Sequence, residues 1–517
     1  SDNYYTEKEL IKSHQLSYQA VSFLKLRYCF DDCFIKVKDL GGNNMIRFLE
    51  KNYRKMEEII RVLSISDKWM TKKELAKYIG SSESTFIRYI EEIKQRWGES
   101  LTIKTSHKLG YRLENFNVSL YLNVLTDMAK TSTTTQLLHE FIQNPGKTIE
   151  YYCDTINISR SSFARKLKQC NQVLETYSLR VIVDQGYQLT SQTEELPLRI
   201  FTTFFFLMYY GHYELPYQLD KQEIKQLMRR NQCQLNIISM DNSYEHDFFI
   251  MYFIVDLLRE HQGFQQRFQK KTDKKSPIKM EDYLLLSRHF TGLSRETYRE
   301  VLRYFQRGAF QQYYSEDQEV ISQRIRENLK FNAFSQIEQL TEEVVDFAVH
   351  LLTCLYLFSQ LVPFDTSELT QRATFFTRQI HFTQLHLYER LKAELHFFSA
   401  LLETNLLNYS SSYIFWLLNT FPEINQSFDS KKILIISDMG LNHSQYIGNY
   451  VHDILALHRI RSNTLAITEE QLGDHRLEEF DLIITNQPII ETSVPSILIN
   501  DAILFSNKRE LLDLLNF

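Results

Sequence analysis

Met70-Thr71-Lys72-Lys73-Glu74-Leu75-Ala76-Lys77-Tyr78-Ile79-Gly80-Ser81-Ser82-Glu83-Ser84-Thr85-Phe86-Ile87-Arg88-Tyr89-Ile90-Glu91-Glu92-Ile93-Lys94 is the stretch whose reading decides the fold. Thr71 to Ile79 has the apolar spacing of a short amphipathic helix, Gly80-Ser81-Ser82 reads as a tight turn, and Glu83 to Lys94 reads as a second helix. Two short helices joined by a glycine-containing turn make a helix-turn-helix unit. The second helix opens with small polar residues and an arginine, the kind that reach base edges and phosphates. Beyond it, Leu101 to Lys104 and Tyr111 to Leu113 alternate as strands around Lys108-Leu109-Gly110, a hairpin forming a basic wing. Phe48 to Leu63, with Ile59, Ile60, Val62 and Leu63 apolar, supplies the first helix of this module.

Working outward, the pattern returns. Thr148 to Cys153, Ser159 to Lys168, Leu179 to Val183 and Gly186 to Leu189 repeat the order helix, helix, strand, strand, with Thr134 to Phe141 as the added first helix. Ser84-Thr85-Phe86-x-Arg88 matches Ser161-Ser162-Phe163-x-Arg165 at an offset of 77 (163 − 86), and Gly110-Tyr111-x-Leu113 matches Gly186-Tyr187-x-Leu189 at 76 (186 − 110). A near-constant offset through helix and wing marks a tandem duplication. Val118 to Met128 reads as a helix that sets the spacing of the copies.

Bulk properties agree with a multidomain globular chain. At 517 residues it exceeds the roughly 250–300 residues at which single cores stop growing. With 14 Gly and 8 Pro it has little material for long flexible linkers. The net charge of −5 attracts no polyanion, but its distribution does: residues 51–114 carry 14 Lys/Arg against 9 Asp/Glu, and residues 431–517 carry 7 against 12. Six scattered cysteines, of which Cys29 and Cys33 form only C-x-x-x-C, read as reduced structural thiols and not as a zinc site. The most apolar run, Ile200 to Tyr210, falls well short of the ~20 residues of a membrane span. The expectation is a cytoplasmic protein without membrane, metal or cofactor.

Residues 1–44 have helical spacing from Glu7 to Phe30 and a linker-like Gly41-Gly42-Asn43-Asn44; no role is assigned to them. From about Glu194 to Phe428 helical periodicity dominates, at Leu196–Tyr210, Phe248–Leu258, Glu281–Leu286, Glu296–Phe305, Val344–Phe358, Phe375–Leu385, Leu391–Leu401 and Tyr413–Leu418, with a break between about 305 and 335. The basic run Gln269 to Pro277 reads as a solvated loop. The last segment alternates strand (Lys431–Asp438), helix (His443–Ala456), strands (Asn463–Ile467, Asp481–Thr485, Ser496–Ile499) and a final helix (Lys508–Leu515), the pattern of a small parallel α/β sandwich.

Two winged helices, two helical bundles and an α/β tail, in that order, resemble the virulence regulators of Gram-positive bacteria typified by Mga and AtxA. The resemblance implies a mainly α multidomain protein: an extension (1–44), winged helix-turn-helix domains at 45–115 and 116–190, all-α phosphotransferase regulation domains at 191–305 and 306–428, and an enzyme IIB-like α/β domain at 429–517. It implies a transcriptional regulator binding double-stranded DNA, homodimeric through the tail and also through the regulation domains, and tuned by histidine phosphorylation from the phosphocarrier protein or an enzyme II of the sugar phosphotransferase system. The histidine candidates are His212, His246, His350 and His386, each weighed against a structural imidazole. An enzyme IIB carries a nucleophilic cysteine at the end of its first strand. Here Ser437 stands in that place beside Asp438, so phosphate transfer is not expected.

The DNA-contact candidates of the first module are Ser82, Ser84, Thr85, Arg88 and Tyr89, with Lys104, Lys108 and Arg112 in its wing. Those of the second are Ser159, Arg160, Ser161, Ser162, Arg165 and Lys166. Ser82 and Ser159 serve equally as helix caps, and Arg88 either contacts DNA or pairs with Glu92 one turn on. Phe86 and Phe163 are read as core. The second wing, with Asp184 and Gln185, is less basic, so the first module should dominate affinity. The competing functional class is an architectural DNA-binding protein without phospho-regulation. No Ser-His-Asp set, metal cluster or Walker-type loop points to an enzyme.

Overall fold

The computed structural model describes residues 44–65, 69–114, 116–211, 214–233, 243–265, 278–310, 317–329, 341–362, 364, 371–422, 424, 431–457, 462–487, 493–503 and 505–515. The extension and the basic run Gln269 to Pro277 lie outside them. Two compact units form. One holds the described residues up to Ile325 with His350–Gln379 and Leu395–Phe415; the other holds Arg326–Val349, Ile380–Glu394 and Trp416–Phe517. The chain is mainly helical, with a few small sheets.

In the first unit, α1 (Lys51–Ile65), α2 (Lys72–Tyr78) and α3 (Glu83–Trp97) lead into the antiparallel pair β1 (Thr102–Ser106) and β2 (Gly110–Glu114). A capping box starts α2: the Thr71 hydroxyl accepts the Glu74 N–H at 3.3 Å, and the Glu74 carboxylate accepts the Thr71 N–H at 2.8 Å. Ser82 caps α3, its Oγ accepting the Thr85 N–H at 3.2 Å. The spacing of Phe86, Tyr89, Ile90, Ile93 and Trp97 puts all five on the buried face. After α4 (Val118–Thr131) and α5 (Thr133–Gln143), the order recurs as α6 (Ile149–Thr155), α7 (Arg160–Leu174), β3 (Leu179–Val183) and β4 (Tyr187–Ser191). The caps Thr148 and Ser159 stand 77 residues after Thr71 and Ser82 (148 − 71, 159 − 82). Both helix pairs and both hairpins therefore form where the duplication places them.

α8 (Glu195–Tyr210) lies against α4 and α10 (Ser243–His261), followed by α11 (Met280–Ser287) and α12 (Arg295–Gln306), which packs on α10. Between α8 and α10 sits a buried ion network. Arg199 pairs with Asp256 and, at 2.7 Å, with Glu260; Arg259 pairs with Glu195 at 2.6 Å. Burial, opposed by the Arg199 charge, leaves the Asp256 carboxyl raised to about 6. Breaking such a pair from one side leaves an uncompensated charge and costs roughly 3–5 kcal/mol.

Two helices were not foreseen. α9 (Lys221–Arg230) is so charged that only Ile224, Leu227 and Met228 mark its buried stripe. α13 (Asp317–Leu329) occupies the stretch read as a break. α14 (Glu342–Leu361), α15 (Gln371–Thr383), α16 (Leu385–Leu401) and α17 (Ser410–Thr420) follow. α14 is long and apolar enough to cross a membrane by composition, and 56% of its most apolar window is buried within the fold.

The second unit ends in a four-stranded parallel sheet of order β6-β5-β7-β8, with β5 (Lys431–Ser437), β6 (Ser462–Thr468), β7 (Leu482–Thr485) and β8 (Ser496–Leu498). Ile433 and Ile435 of β5 pack with Ile447, Val451 and Leu455 of α18 (Leu441–Leu457) and Leu511 of α19 (Phe505–Leu514); Leu434 and Ile436 face the other side. Side chains that alternate between two buried faces explain the unbroken apolar run Ile433 to Ile436.

Candidate nucleic-acid interface

Each wing is fastened to the start of its own helix pair. Met70 donates its N–H to the Tyr111 carbonyl at 2.9 Å and accepts the Tyr111 N–H at 2.8 Å; in the second copy Gly146 donates to Tyr187 at 2.8 Å and Lys147 accepts the Tyr187 N–H at 3.0 Å. The chains approach so closely that a Cβ on Gly110 would lie 2.0 Å from the Met70 carbonyl oxygen, and one on Gly186 2.2 Å from that of Gly146. Both glycines also have positive φ, +100° and +116°. The tyrosine after each glycine meets the phenylalanine of the second helix edge to face: Phe86 and Tyr111 at 5.1 Å, Phe163 and Tyr187 at 5.0 Å. Phe86 and Phe163 are core residues, as read from the sequence.

This staple turns the opposite faces of α3 and α7 to solvent. Arg88 and Arg165 are exposed at the sixth helical position after their caps, as are Ser84 and Ser161 at the second. In both copies the cap hydroxyl lies 3.0 Å from the serine two residues on. Ser82 and Ser159 do act as caps. Thr85 Oγ1 sits 2.8 Å from Ser82 Oγ, and Ser162 Oγ accepts from Arg165 at 3.5 Å. Glu92 pairs with Arg96 at 3.0 Å, while the Arg88 guanidinium lies over the Tyr89 ring at 5.6 Å.

Two candidates are corrected. Tyr89 is 7% exposed, because its place one turn from Phe86 and Ile93 puts it on the core face. Lys166 is paired with Glu50 at 2.6 Å, with its side chain 13% exposed, and so braces one module against the other. In the first wing Lys104 and Lys108 are exposed and Arg112 is partly exposed; Lys104 lies 3.8 Å from Glu114. Lys94, not anticipated, donates from α3 to Thr105 of the wing at 2.5 Å.

The wings differ at their tips. Thr105 faces Tyr111 across five residues (106–110), whereas Val183 faces Tyr187 across three (184–186). The two missing residues remove the counterpart of the basic tip His107-Lys108, and Asp184 stands there instead. The offset of 77 in the helices thus becomes 78 in the first strand (181 − 103, both buried beside Leu189 and Leu113) and 76 in the second.

The modules are locked together, and distal residues touch the second. Tyr121 of α4 donates to Glu57 of α1 at 2.7 Å, and Trp97 of α3 donates to Asp127 of α4 at 2.9 Å. Gln169 of α7 donates to the Arg47 carbonyl at 3.3 Å. From α15, Arg372 donates to Ser119 at 3.0 Å and Phe375 meets Tyr121 at 4.7 Å, while Phe364 packs on Tyr177 of the second module at 5.1 Å.

Among the phosphorylation candidates, His246 is 5% exposed, which corrects its reading as accessible; the following Phe249 and Ile250 bury that face of α10. His350 is exposed on α14, its Nε2 3.6 Å from Cys354 Sγ. His212 and the His386 side chain lie outside the described residues. Ser437 is 1% exposed; its Oγ lies 2.7 Å from His443 Nδ1 and accepts the Met439 N–H at 3.0 Å, so burial adds to the chemical argument against it as a phosphate acceptor.

Comparison with known proteins matches the second module. Residues 116–206, the second module and most of α8, match the Mga helix-turn-helix domain. Over 254 residues the chain is 24% identical to the capsule synthesis positive regulator AcpB of Bacillus anthracis, an alignment covering 48% of this chain and 50% of that protein. The chain thus spans about half the length of the curated relative it matches.

Proposed function

We propose, from this relationship to Mga- and AtxA-type regulators, that the protein is a cytoplasmic DNA-binding transcriptional regulator with two winged reading heads, residues 45–115 and 116–190. The observation that carries the reading is the pair of exposed arginines, Arg88 and Arg165, at one helical position on two helices fixed by the same glycine–tyrosine staple. Hydroxyl residues at the second and third helical positions and Arg at the sixth suit base edges in a major groove; Lys104, Lys108 and Arg112 suit phosphates. The first head, with the longer and more basic wing, contributes more of the affinity.

The remaining segments are read as two phosphotransferase regulation domains (191–305 and 306–428) and an enzyme IIB-like tail (429–517). The contacts of Arg372, Phe375 and Phe364 with the second head support control of the heads by the distal segments. Exposed His350 is the described phosphorylation candidate, the donor being a phosphocarrier protein or an enzyme II. The tail is read as a dimerisation module. Its exposed Met439, Tyr446 and Tyr450 support that role.

Duplex titration against salt tests the reading. Arg88→Ala and Arg165→Ala should each weaken binding by about five- to 150-fold, the span of one good base contact. Melting temperature should not move, since both side chains are exposed. An arginine that instead holds a phosphate would lower the salt slope by about 0.9. Unchanged binding by the double variant would refute it.

A further inference from the structure

A charge reversal sits at the mouth of the two recognition helices. In the first head the opening residue of α3, Glu83, is held by Lys72 of α2 at 2.8 Å. In the second head the equivalent opening residue of α7 is Arg160, 77 positions on (160 − 83), and it is held by Glu150 of α6. A brace between the two helices of each head is thus kept with its polarity inverted, its α2 or α6 end shifted by one position, to an offset of 78 (150 − 72). Most of the rest of the helix start is shared: a serine cap, serine at the second position, a hydroxyl at the third and arginine at the sixth. Neither brace is buried: Glu83 is 47% and Arg160 71% exposed on the side chain, so each remains available to a ligand at the helix start.

We propose that Glu83 and Arg160 make the two heads read unlike half-sites, so that the DNA bound by one chain is not a repeat of one sequence. The inference rests on the reading of α3 and α7 as recognition helices. The chemistry is direct. At the first helical position a carboxylate can only accept, which matches the N4 amine of cytosine and rejects the acceptor-rich edge of guanine. A guanidinium at the same position can only donate, and its fork fits guanine O6 and N7. Since the shared serine and arginine positions would favour equal sequences, the charge reversal at the first position supplies a difference where the helix opens. The wing lengths add a second asymmetry on the phosphate side without reading bases.

Selection of the full chain on randomised duplexes tests this. The wild type should enrich two unlike half-sites. The variant Lys72→Glu/Glu83→Arg, which preserves the brace with the polarity of the second head, should change one base position in one half-site from cytosine towards guanine. The discrimination there should shift by about five- to 150-fold, with the other half-site unchanged. Glu150→Lys/Arg160→Glu should do the converse. Two identical half-sites for the wild type, or unaltered sites for both variants with binding intact, would overturn the inference and leave the recognition helices standing. No enrichment of any duplex by the wild type would overturn the recognition helices and the inference together.

Discussion

Replacing Gly110 by alanine isolates the staple that holds the first wing. The added methyl would lie 2.0 Å from the Met70 carbonyl oxygen, 2.7 Å from its carbon and 2.8 Å from Thr71 Cα, all backbone atoms that cannot swing aside. It would also sit at φ +100°, which costs an L-residue roughly 1–3 kcal/mol. Relief requires the wing to move off Met70, losing two backbone hydrogen bonds at about 0.5–1.5 kcal/mol each. The local cost is therefore about 2–6 kcal/mol, and the wing that carries Lys104, Lys108 and Arg112 detaches from its helix pair. Gly80→Ala is the control: its φ is +61° and a Cβ there meets nothing within 4 Å, so only a conformational cost of about 1 kcal/mol applies. Hydrogen exchange should show the Met70 and Tyr111 amides losing protection in Gly110→Ala and keeping it in Gly80→Ala, with duplex affinity falling in the former alone. Equal, mild effects of both substitutions would refute the close-approach argument.

Two further outcomes are expected. Phe375→Ala, which empties a ring contact on Tyr121, should destabilise the fold by roughly 3–5 kcal/mol; protection should drop in α1 and α4 more than in β3 and β4, as hydrogen exchange would show. The proposed role of the tail predicts that removing residues 431–517 leaves only monomers in light scattering, and a dimer that survives would move the self-association surface to the helical region.

The local architecture was readable because period and punctuation agree. Thr71, Ser82, Thr148 and Ser159 cap the helices that their sequence position indicates, and Gly110 and Gly186 mark the two points of backbone approach. Parallel strands in the tail were visible as apolar runs between helical patterns. What stayed hidden depends on long-range packing. Nothing local separates Tyr89 from its exposed neighbour Arg88 except the phase of the helix. Lys166 looks like any surface lysine until Glu50, 116 positions earlier, is placed beside it. α13 has too few apolar residues to show a helical stripe in the sequence; Ile325 and Leu329, one turn apart, are its fully buried positions. The opposed pairs Lys72–Glu83 and Glu150–Arg160 are in plain view, yet only the duplicated geometry shows Glu83 and Arg160 to be equivalent, with their partners one position out of step (150 − 72 against 160 − 83).

The reach of α15 back to Ser119 and Tyr121 bears on biosynthesis. Arg372 is made 253 residues after the serine it touches. At about 5–20 residues per second, a ribosome needs roughly 13–50 s to cover that interval. Throughout that time the emerging chain lacks the ring and guanidinium that pack against α4 at the start of its second head. The face of α4 that carries Ser119 and Tyr121 therefore stays uncovered by α15 until synthesis has passed Phe375, and truncated products lack that cover.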